Sequence, residues 1–156
     1  MSLLGGLVSG AAAGAAGTTA LSAVTYLDML TRARPSSSTP EETVKKLAEA
    51  TGTQIPGTKD EQQNRVSALG PLTGLAVGIG VGAALGFARA AGLRSGALTT
   101  TVLGTLGALA GSNGPMTILG VSDPRSWSVT DWVSDVVPHL AYGAVTAATL
   151  RSLDRY

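Results

Sequence analysis

Cysteine is absent from this 156-residue chain, and aromatic and charged residues are scarce, at 4% and 13% of the composition. Without cysteine, the chain cannot form disulfides, thiolate metal sites or a cysteine nucleophile. A soluble domain carries about 25% charged residues, so roughly half of the usual charge is missing. The presence of only one histidine also excludes a His-rich metal site and the H-E-x-x-H zinc motif.

The few charged residues are unevenly distributed along the chain. Residues 1–26, 66–88 and 95–122 contain no Asp, Glu, Lys or Arg. A soluble helical protein of this size needs charged side chains on the outer face of nearly every helix. A helix that crosses the apolar core of a bilayer instead needs roughly 20 apolar residues, and each stretch is long enough. We therefore expect an integral membrane protein that is surrounded by the lipid bilayer.

Helix start and stop signals predict one membrane domain, residues 1–156, with a short extramembrane insertion. The fold class is an all-α transmembrane bundle of about four helices, over residues 3–30, 59–91, 95–121 and 129–150. Residues 35–58 form the insertion, and residues 40–50 within it form a short amphipathic helix. The sequence Gly-Ser-Asn-Gly-Pro at 111–115 is a poor helix interior, so we expect the third crossing helix to be broken there.

Several helix starts carry a hydroxyl residue followed three positions later by an acidic residue, the sequence pattern of a capping box. In a capping box each side chain accepts a hydrogen bond from the main-chain N–H of the other residue. The predicted boxes are Thr39 with Glu42, Thr58 with Glu61, and Ser128 with Asp131.

Glycine spacing is the strongest pattern in the sequence. A step of four residues places the glycines along one slowly drifting face of a helix. Lipid gives helices no hydrophobic reason to associate, and small residues instead allow two backbones to pack closely. The stripes either pack against each other inside one bundle, or one faces outward and binds another subunit or a second copy of the chain. The predicted helix-packing residues are Gly6, Gly10, Gly14, Gly70, Gly74, Gly78, Gly82, Gly86, Gly107 and Gly111.

The last crossing helix carries the one candidate polar site. Asp131, Asp135 and His139 are spaced four residues apart, and Tyr142 lies close to the same face. Ionisable residues inside a membrane segment are energetically costly and raise the question of function. In a structural interpretation, Asp131 caps the helix and His139 bonds to a carbonyl group or to Asp135. In a functional one, these side chains handle protons, bind an ion or contact a substrate.

No other chemistry is indicated. The net charge of +1, without a basic patch, gives no support for nucleic acid as a partner. The glycines between Gly78 and Gly82 follow no predicted strand, and there is no Walker A sequence, so no nucleotide cofactor is expected. We predict no catalytic residue, no metal, no cofactor and no enzymatic activity.

Residues 131–143 (Asp-Trp-Val-Ser-Asp-Val-Val-Pro-His-Leu-Ala-Tyr-Gly) resemble the last helix of small actinobacterial four-helix membrane proteins of unknown function. The same helix more distantly resembles a bacterial inner-membrane family linked to acid resistance, which also has a soluble insertion after its first helix. The resemblance implies a multi-pass protein of the bacterial cytoplasmic (inner) membrane. Four crossings put both termini on the side of Arg89 and Arg94. The two sides roughly tie in basic residues near the helix ends, and we expect the side whose positive segments carry less acidic charge to be cytoplasmic.

Two functions fit these patterns. The first is a non-enzymatic accessory or structural subunit that packs against partner membrane proteins through small-residue helix faces. The second is a small transporter, or a proton- or ion-handling protein, that uses Asp135 and His139.

Overall fold

The chain is all-helical over residues 2–153, which are the residues that the computed structural model describes. This confirms the predicted all-α class, and no strand occurs within that range. The elements, in chain order, are α1 (Leu3–Arg32), α2 (Thr39–Ala50), α3 (Lys59–Ala90), α4 (Ala97–Ile118), a single 3₁₀ turn (Pro124–Ser126) and α5 (Val129–Leu153).

Two of the predicted capping boxes are present, at the starts of α3 and α5. The main-chain N–H of Thr58 donates to Glu61 at 2.7 Å, and that of Glu61 donates back to the Thr58 hydroxyl at 3.4 Å. Ser128 and Asp131 exchange the same pair of bonds, at 2.9 Å and 3.2 Å. These reciprocal bonds satisfy main-chain donors that have no partner within the helix.

The prediction that Thr39 and Glu42 form a capping box at the start of α2 is wrong. The residue that precedes α2 is Ser38, and Thr39 already belongs to the helix. The Ser38 hydroxyl donates to the Glu42 carboxylate at 2.8 Å and caps no main-chain N–H of the helix, while the Thr39 N–H donates to the Ser37 hydroxyl at 3.2 Å. Pro40 in the first turn supplies a pre-set φ and has no main-chain N–H that needs an acceptor, so this helix starts without a capping box.

The predicted break near residues 111–115 is also wrong, because α4 continues through Pro115 to Ile118. Proline removes only one helical hydrogen bond, and contacts with a neighbouring helix can offset that loss. Asn113 donates to Asp135 of α5 at 2.8 Å, which holds the chain in place at this point. The helix ends where Gly120 adopts a positive φ of 67° and Val121 N–H donates to the Met116 carbonyl at 2.8 Å. The residues from 119 to 121 therefore lie beyond the helix.

The long helices form an antiparallel arrangement in which α1 has the central place. It packs most extensively on α3 and then on α5, and α5 packs on α4. The interface between α3 and α4 is much less extensive. The α2 helix lies across the first half of α3, where a Cβ at Gly70 would lie 3.3 Å from the Pro40 Cβ. Gln63 of α3 bonds to Lys45 and Glu41 of α2 at 3.1 Å and 3.0 Å.

Glycines bring the backbones of α1 and α3 into direct contact. They pair in antiparallel register: Gly6 with Gly86, Gly10 with Gly82, and Gly14 with Gly78 and Gly82. A Cβ at Gly82 would lie 2.5 Å from the Cα of Gly14, and a Cβ at Gly6 would lie 2.6 Å from the Gly86 carbonyl oxygen. Real Cβ atoms do not approach main-chain atoms so closely, so no larger residue fits at this interface.

The other predicted packing glycines have different surroundings. Gly107 and Gly111 of α4 lie against Val81 and Val77 of α3, with the closest approaches of an added Cβ at 3.0 Å and 2.5 Å. Gly74 belongs to the same stripe of α3 by sequence, yet a Cβ there would meet nothing within 4 Å.

Small residues and threonines fill the interior, and large apolar residues face outward. The buried apolar positions include Ala13, Ala108 and Ala147, with Tyr142 and Leu150 as the largest. Two helices, α1 and α3, are long and apolar enough to cross a membrane by length and composition. The exposed large apolar residues include Leu4, Val8, Leu27, Leu30, Leu72, Leu98, Leu106, Ile118, Val133, Val137 and Leu140.

Candidate polar site between α4 and α5

The candidate residues of α5 separate into a capping residue and a buried pair. Asp131 lies in the exposed first turn, where it is held by Ser128. Asp135 and His139 lie one and two turns deeper, and their side chains are 19% and 11% exposed. The spacing of four residues brings the His139 Nδ1 within 3.5 Å of the Asp135 carboxylate. Asp131 therefore stands apart from the buried pair.

Two residues of α4 complete the polar site, and sequence reasoning missed both. Asn113 donates from Nδ2 to the Asp135 carboxylate at 2.8 Å, and Ser112 Oγ lies 3.2 Å from His139 Nε2. The Ser112 hydroxyl also lies 3.2 Å from the side-chain amide oxygen Oδ1 of Asn113. In the sequence analysis this dipeptide belongs to the segment that is predicted to break the helix. A Ser-Asn pair inside a long apolar run is also typical of a polar contact between helices.

The imidazole of His139 has partners in both of its protonation states. Its Nδ1 lies 2.6 Å from the Asp135 main-chain carbonyl, which can only accept, so Nδ1 carries a proton. When the ring is neutral, the Ser112 hydroxyl donates to Nε2. When the ring is protonated, Nε2 donates to Ser112 Oγ, and the Ser112 hydroxyl can turn to the Ala108 carbonyl at 3.0 Å. One hydroxyl rotation therefore accommodates either state without movement of a helix.

Tyr142 does not join this cluster and serves a different contact. It is fully buried, and its hydroxyl donates to the main-chain carbonyl of Gly78 in α3 at 2.6 Å. Its ring lies against Gly17 of α1, where an added Cβ would come within 2.8 Å of the Tyr142 Cδ2. One side chain of α5 thus contacts both α1 and α3.

Threonine hydroxyls opposite glycines form a further set of interhelical contacts that the sequence did not reveal. An added Cβ on the glycine would collide with the threonine Oγ1 in each pair. The Oγ1 atoms of Thr105 and Thr146 are buried without a conventional hydrogen-bond partner. Each lies where a side chain on the facing glycine would begin, so the missing Cβ makes room for the hydroxyl. The pairs are Thr18 with Gly78, Thr105 with Gly143, and Thr146 with Gly17.

Charged groups border the polar site at the end of α1. Asp28 forms ion pairs with Arg32 and Arg34 at 2.5 Å and 2.6 Å. Arg32 also donates to the hydroxyl of Ser134 on α5 at 2.6 Å, one residue before Asp135. The polar site therefore lies inward of an arginine-containing cluster.

Within residues 2–153, no three His, Cys, Asp or Glu side chains are close enough to hold a metal ion. The arrangement supplies instead one carboxylate, one imidazole and the hydroxyl and amide that hydrogen-bond to them. The sequence matches no protein-family model, and neither a curated protein nor a solved structure matches it significantly.

Proposed function

We propose that the chain is an integral membrane protein with four crossing helices that acts as a non-enzymatic accessory or structural subunit. The membrane assignment rests on where the small and the large side chains lie. Glycine, alanine and threonine lie between the helices, while leucine, valine and isoleucine are exposed on their outer faces. In water this arrangement exposes the side chains that gain most from burial, whereas a bilayer solvates them.

The lengths of α4 and α5 support crossing, although α1 and α3 each contain a more apolar segment of membrane-spanning length. At 1.5 Å per residue, the 22 and 25 residues of these helices span about 33 and 38 Å, against an apolar core of about 30 Å. The polar residues in the middle of these helices, including Thr105, Ser112 and His139, are turned inward or partly buried. The lipid therefore meets mainly the outer faces, where Leu98, Leu106 and similar residues lie.

The distribution of charge supports a cytoplasmic location of both termini in a bacterial cytoplasmic membrane. Arg89, Arg94 and Arg151 lie at the end of the bundle that holds the start of α1 and the end of α5. Every Asp and Glu within residues 2–153 lies at the opposite end or in α2. The opposite end carries seven Lys and Arg, several of them in α2, so the basic residues near the helix ends are similar in number on the two sides. We place the end that carries only positive charge in the cytoplasm.

A second stripe of small residues supports the subunit role. Ala76, Gly80 and Ala84 recur every four residues on the face of α3 turned away from α1, and all three are exposed. An added Cβ at Gly80 would meet nothing within 4 Å, so this face has no packing partner inside the chain. A small-residue stripe of this kind lets another membrane helix approach closely. The partner is another membrane subunit or a second copy of the chain.

Purification in mild detergent tests the subunit proposal. The wild-type chain is expected to elute with a stoichiometric partner or as a defined oligomer. Ala84→Leu blocks the approach of a helix and should release the partner without lowering the melting temperature. Ala12→Leu places the same change on an exposed face of α1 and should have no effect. A wild-type chain that is monomeric and alone after gentle extraction would contradict the proposal.

The geometry around His139 favours proton or ion handling as a second candidate function. Ser112 and the Asp135 carbonyl provide hydrogen-bond partners for both the neutral and the protonated imidazole of His139, so neither form requires the helices to repack. The Asp135 carboxylate lies 3.5 Å from the ring and can balance its positive charge.

Liposome reconstitution separates the two functions. A proton-handling protein carries a pH-dependent flux that Ser112→Ala and His139→Ala abolish while the purified chain keeps its partners. The subunit function predicts no flux from the wild-type chain, and it predicts that His139→Ala lowers yield and melting temperature together.

A further inference from the structure

A single aromatic ring fills the middle of the bundle, one turn of α5 beyond His139. This residue, Tyr142, is fully buried. Each of the other three long helices turns a glycine towards its ring. An added Cβ would lie 2.8 Å from a ring atom at Gly17 of α1, 3.3 Å at Gly78 of α3 and 3.8 Å at Gly104 of α4. The Tyr142 ring therefore lies among all four long helices at one level of the bundle.

The neighbours of this ring cannot replace it. Gly143, the next residue of α5, lies against Gly104, with 3.4 Å between its Cα and an added Cβ at Gly104. A glycine has no side chain that could move into vacated space, so loss of the ring leaves a void unless whole helices shift. Tyr142 is also the largest of the fully buried side chains. One side chain thus closes the interior at this level.

A cavity of about 390 Å³ approaches the ring from the end of the bundle where α3 ends and α4 starts. Leu93 and Arg94, in the turn between these helices, line the cavity and are exposed, so the cavity opens at that end. Leu85 lines it deeper in the bundle. An added Cβ at Gly104 would lie 3.5 Å from the Leu85 Cδ1 and 3.8 Å from the Tyr142 Cε1. A wall residue of the cavity and the Tyr142 ring therefore meet at the same glycine.

The polar site approaches the ring from the opposite end. Asp131, Asp135 and His139 lead inward from the exposed start of α5 in steps of about one turn. At the level of the ring, the Thr105 hydroxyl of α4 is buried without a hydrogen-bond partner and faces Gly143. Polar groups thus reach the ring from one end, and a cavity large enough for water reaches it from the other.

We propose that Tyr142 is the barrier in a proton path through the bundle, between the polar site and this cavity. The bond from its hydroxyl to the Gly78 carbonyl, at 2.6 Å, holds the ring across the path. Once the ring is displaced, neutral His139 accepts a proton at Nε2 and returns the same proton to water on the cavity side, which restores the neutral imidazole. The inference rests on the four proposed crossings and extends the proton-handling candidate, because it names the point at which the path is closed.

Proton flux into liposomes that contain the purified full-length chain tests the barrier. The readout is an entrapped pH-sensitive dye under an imposed pH gradient, with potassium and valinomycin to balance charge. Tyr142→Ala removes the ring and should raise the proton permeability at least tenfold above that of the wild type. Leu150→Ala is the control, because Leu150 is equally buried in α5 but lies about two turns beyond the ring and outside the cavity lining. Its permeability should stay within twofold of the wild type.

A double variant tests whether the leak uses the polar site. Adding His139→Ala to Tyr142→Ala removes the proton acceptor beside the barrier and should abolish most of the leak. If the Tyr142→Ala chain does not fold, Tyr142→Leu takes its place in both experiments. Leucine leaves a smaller void, and we expect a leak several-fold above that of Leu150→Ala.

Three results would overturn the inference. A ring variant as tight as the wild type would show that Tyr142 closes no path, and equal leaks in the Tyr142 and Leu150 variants would show a general loosening of the bundle. A leak that is undiminished in the double variant would show a route that bypasses the polar site. Any of these in a chain whose four crossings have been established by labelling refutes the barrier and leaves the proposed function intact, whereas fewer crossings would overturn both.

Discussion

The hydroxyl of Tyr142 in α5 donates a hydrogen bond to the main-chain carbonyl of Gly78 in α3, with 2.6 Å between the oxygens. Gly78 is one of the glycines that contact α1, so this bond links the α1–α3 pair to α5. An added Cβ at Gly78 would collide with the Thr18 Oγ1 and lie 3.3 Å from the Tyr142 Cε2, so the position favours glycine.

Tyr142→Phe removes this bond and retains the ring. We expect a loss of about 0.5–1.5 kcal/mol in the free energy of unfolding, which is typical of one internal hydrogen bond. Denaturation in detergent micelles measures the change. Tyr26→Phe is the control, since Tyr26 is 66% exposed and should tolerate the same change. Equal stabilities for both variants would show that the Tyr142 hydroxyl contributes nothing to the bundle.

Glycines of one stripe should respond differently to the same substitution. Gly82→Ala drives a Cβ into the backbone of α1, so the helices must separate, and we expect a loss of about 1–3 kcal/mol, as for overpacked cores. Gly74→Ala meets nothing within 4 Å and should be neutral or stabilising, because alanine favours helix more than glycine does. Melting temperatures of the two variants decide the matter, and similar losses in both would contradict the antiparallel register.

The difference between Gly74 and Gly82 marks a limit of sequence reasoning. The four-residue spacing correctly indicated which face of α3 carries small residues, since spacing follows from helix geometry alone. The residue of α1 that faces each glycine of α3 depends on how the two helices are aligned. Gly10 and Gly14 of α1 face Gly82, whereas Thr18, one turn further along α1, faces Gly78. Register is a tertiary property, and no pattern within one helix contains it.

The continuity of α4 was unpredictable for a related reason. Local propensity at Ser112, Asn113 and Pro115 favours a break. The helix persists in contact with α5, where Asp135 and His139 bond to two of these residues. The start and end of the long helices were predictable within a few residues because capping and charge act locally, whereas the polar site required two helices to be brought together.

The bond between Asn113 and Asp135 should be measurable by a double-mutant cycle. Asn113→Ala leaves a largely buried carboxylate without its amide donor, and we expect a cost on the order of 1–3 kcal/mol. The same change in an Asp135→Ala background should cost much less, because the carboxylate is already absent. Additive losses would mean that the two residues act independently.

The capping boxes predict unequal effects of removing a hydroxyl. Ser128→Ala loses the acceptor for the Asp131 N–H and should destabilise the start of α5 by about 1 kcal/mol. Thr39→Ala should have little effect, since Thr39 lies inside α2 and caps no main-chain group. Hydrogen exchange of the first-turn amides reports on each helix start separately. Faster exchange in the Thr39 variant, with no change in the Ser128 variant, would contradict the capping role of Ser128 and show one for Thr39.

The central claim, four crossings of a membrane, is tested most directly by single-cysteine labelling at Ser126, between α4 and α5. The native chain has no cysteine, so Ser37→Cys, Ser126→Cys and Ser152→Cys each provide one exposed reactive position. Four crossings predict that an impermeant reagent added outside intact cells labels positions 37 and 126 and spares position 152. If only α1 and α3 cross, position 126 shares the side of position 152. Labelling of position 37 alone, of position 126 together with position 152, or of all three positions alike would contradict the four-helix membrane bundle.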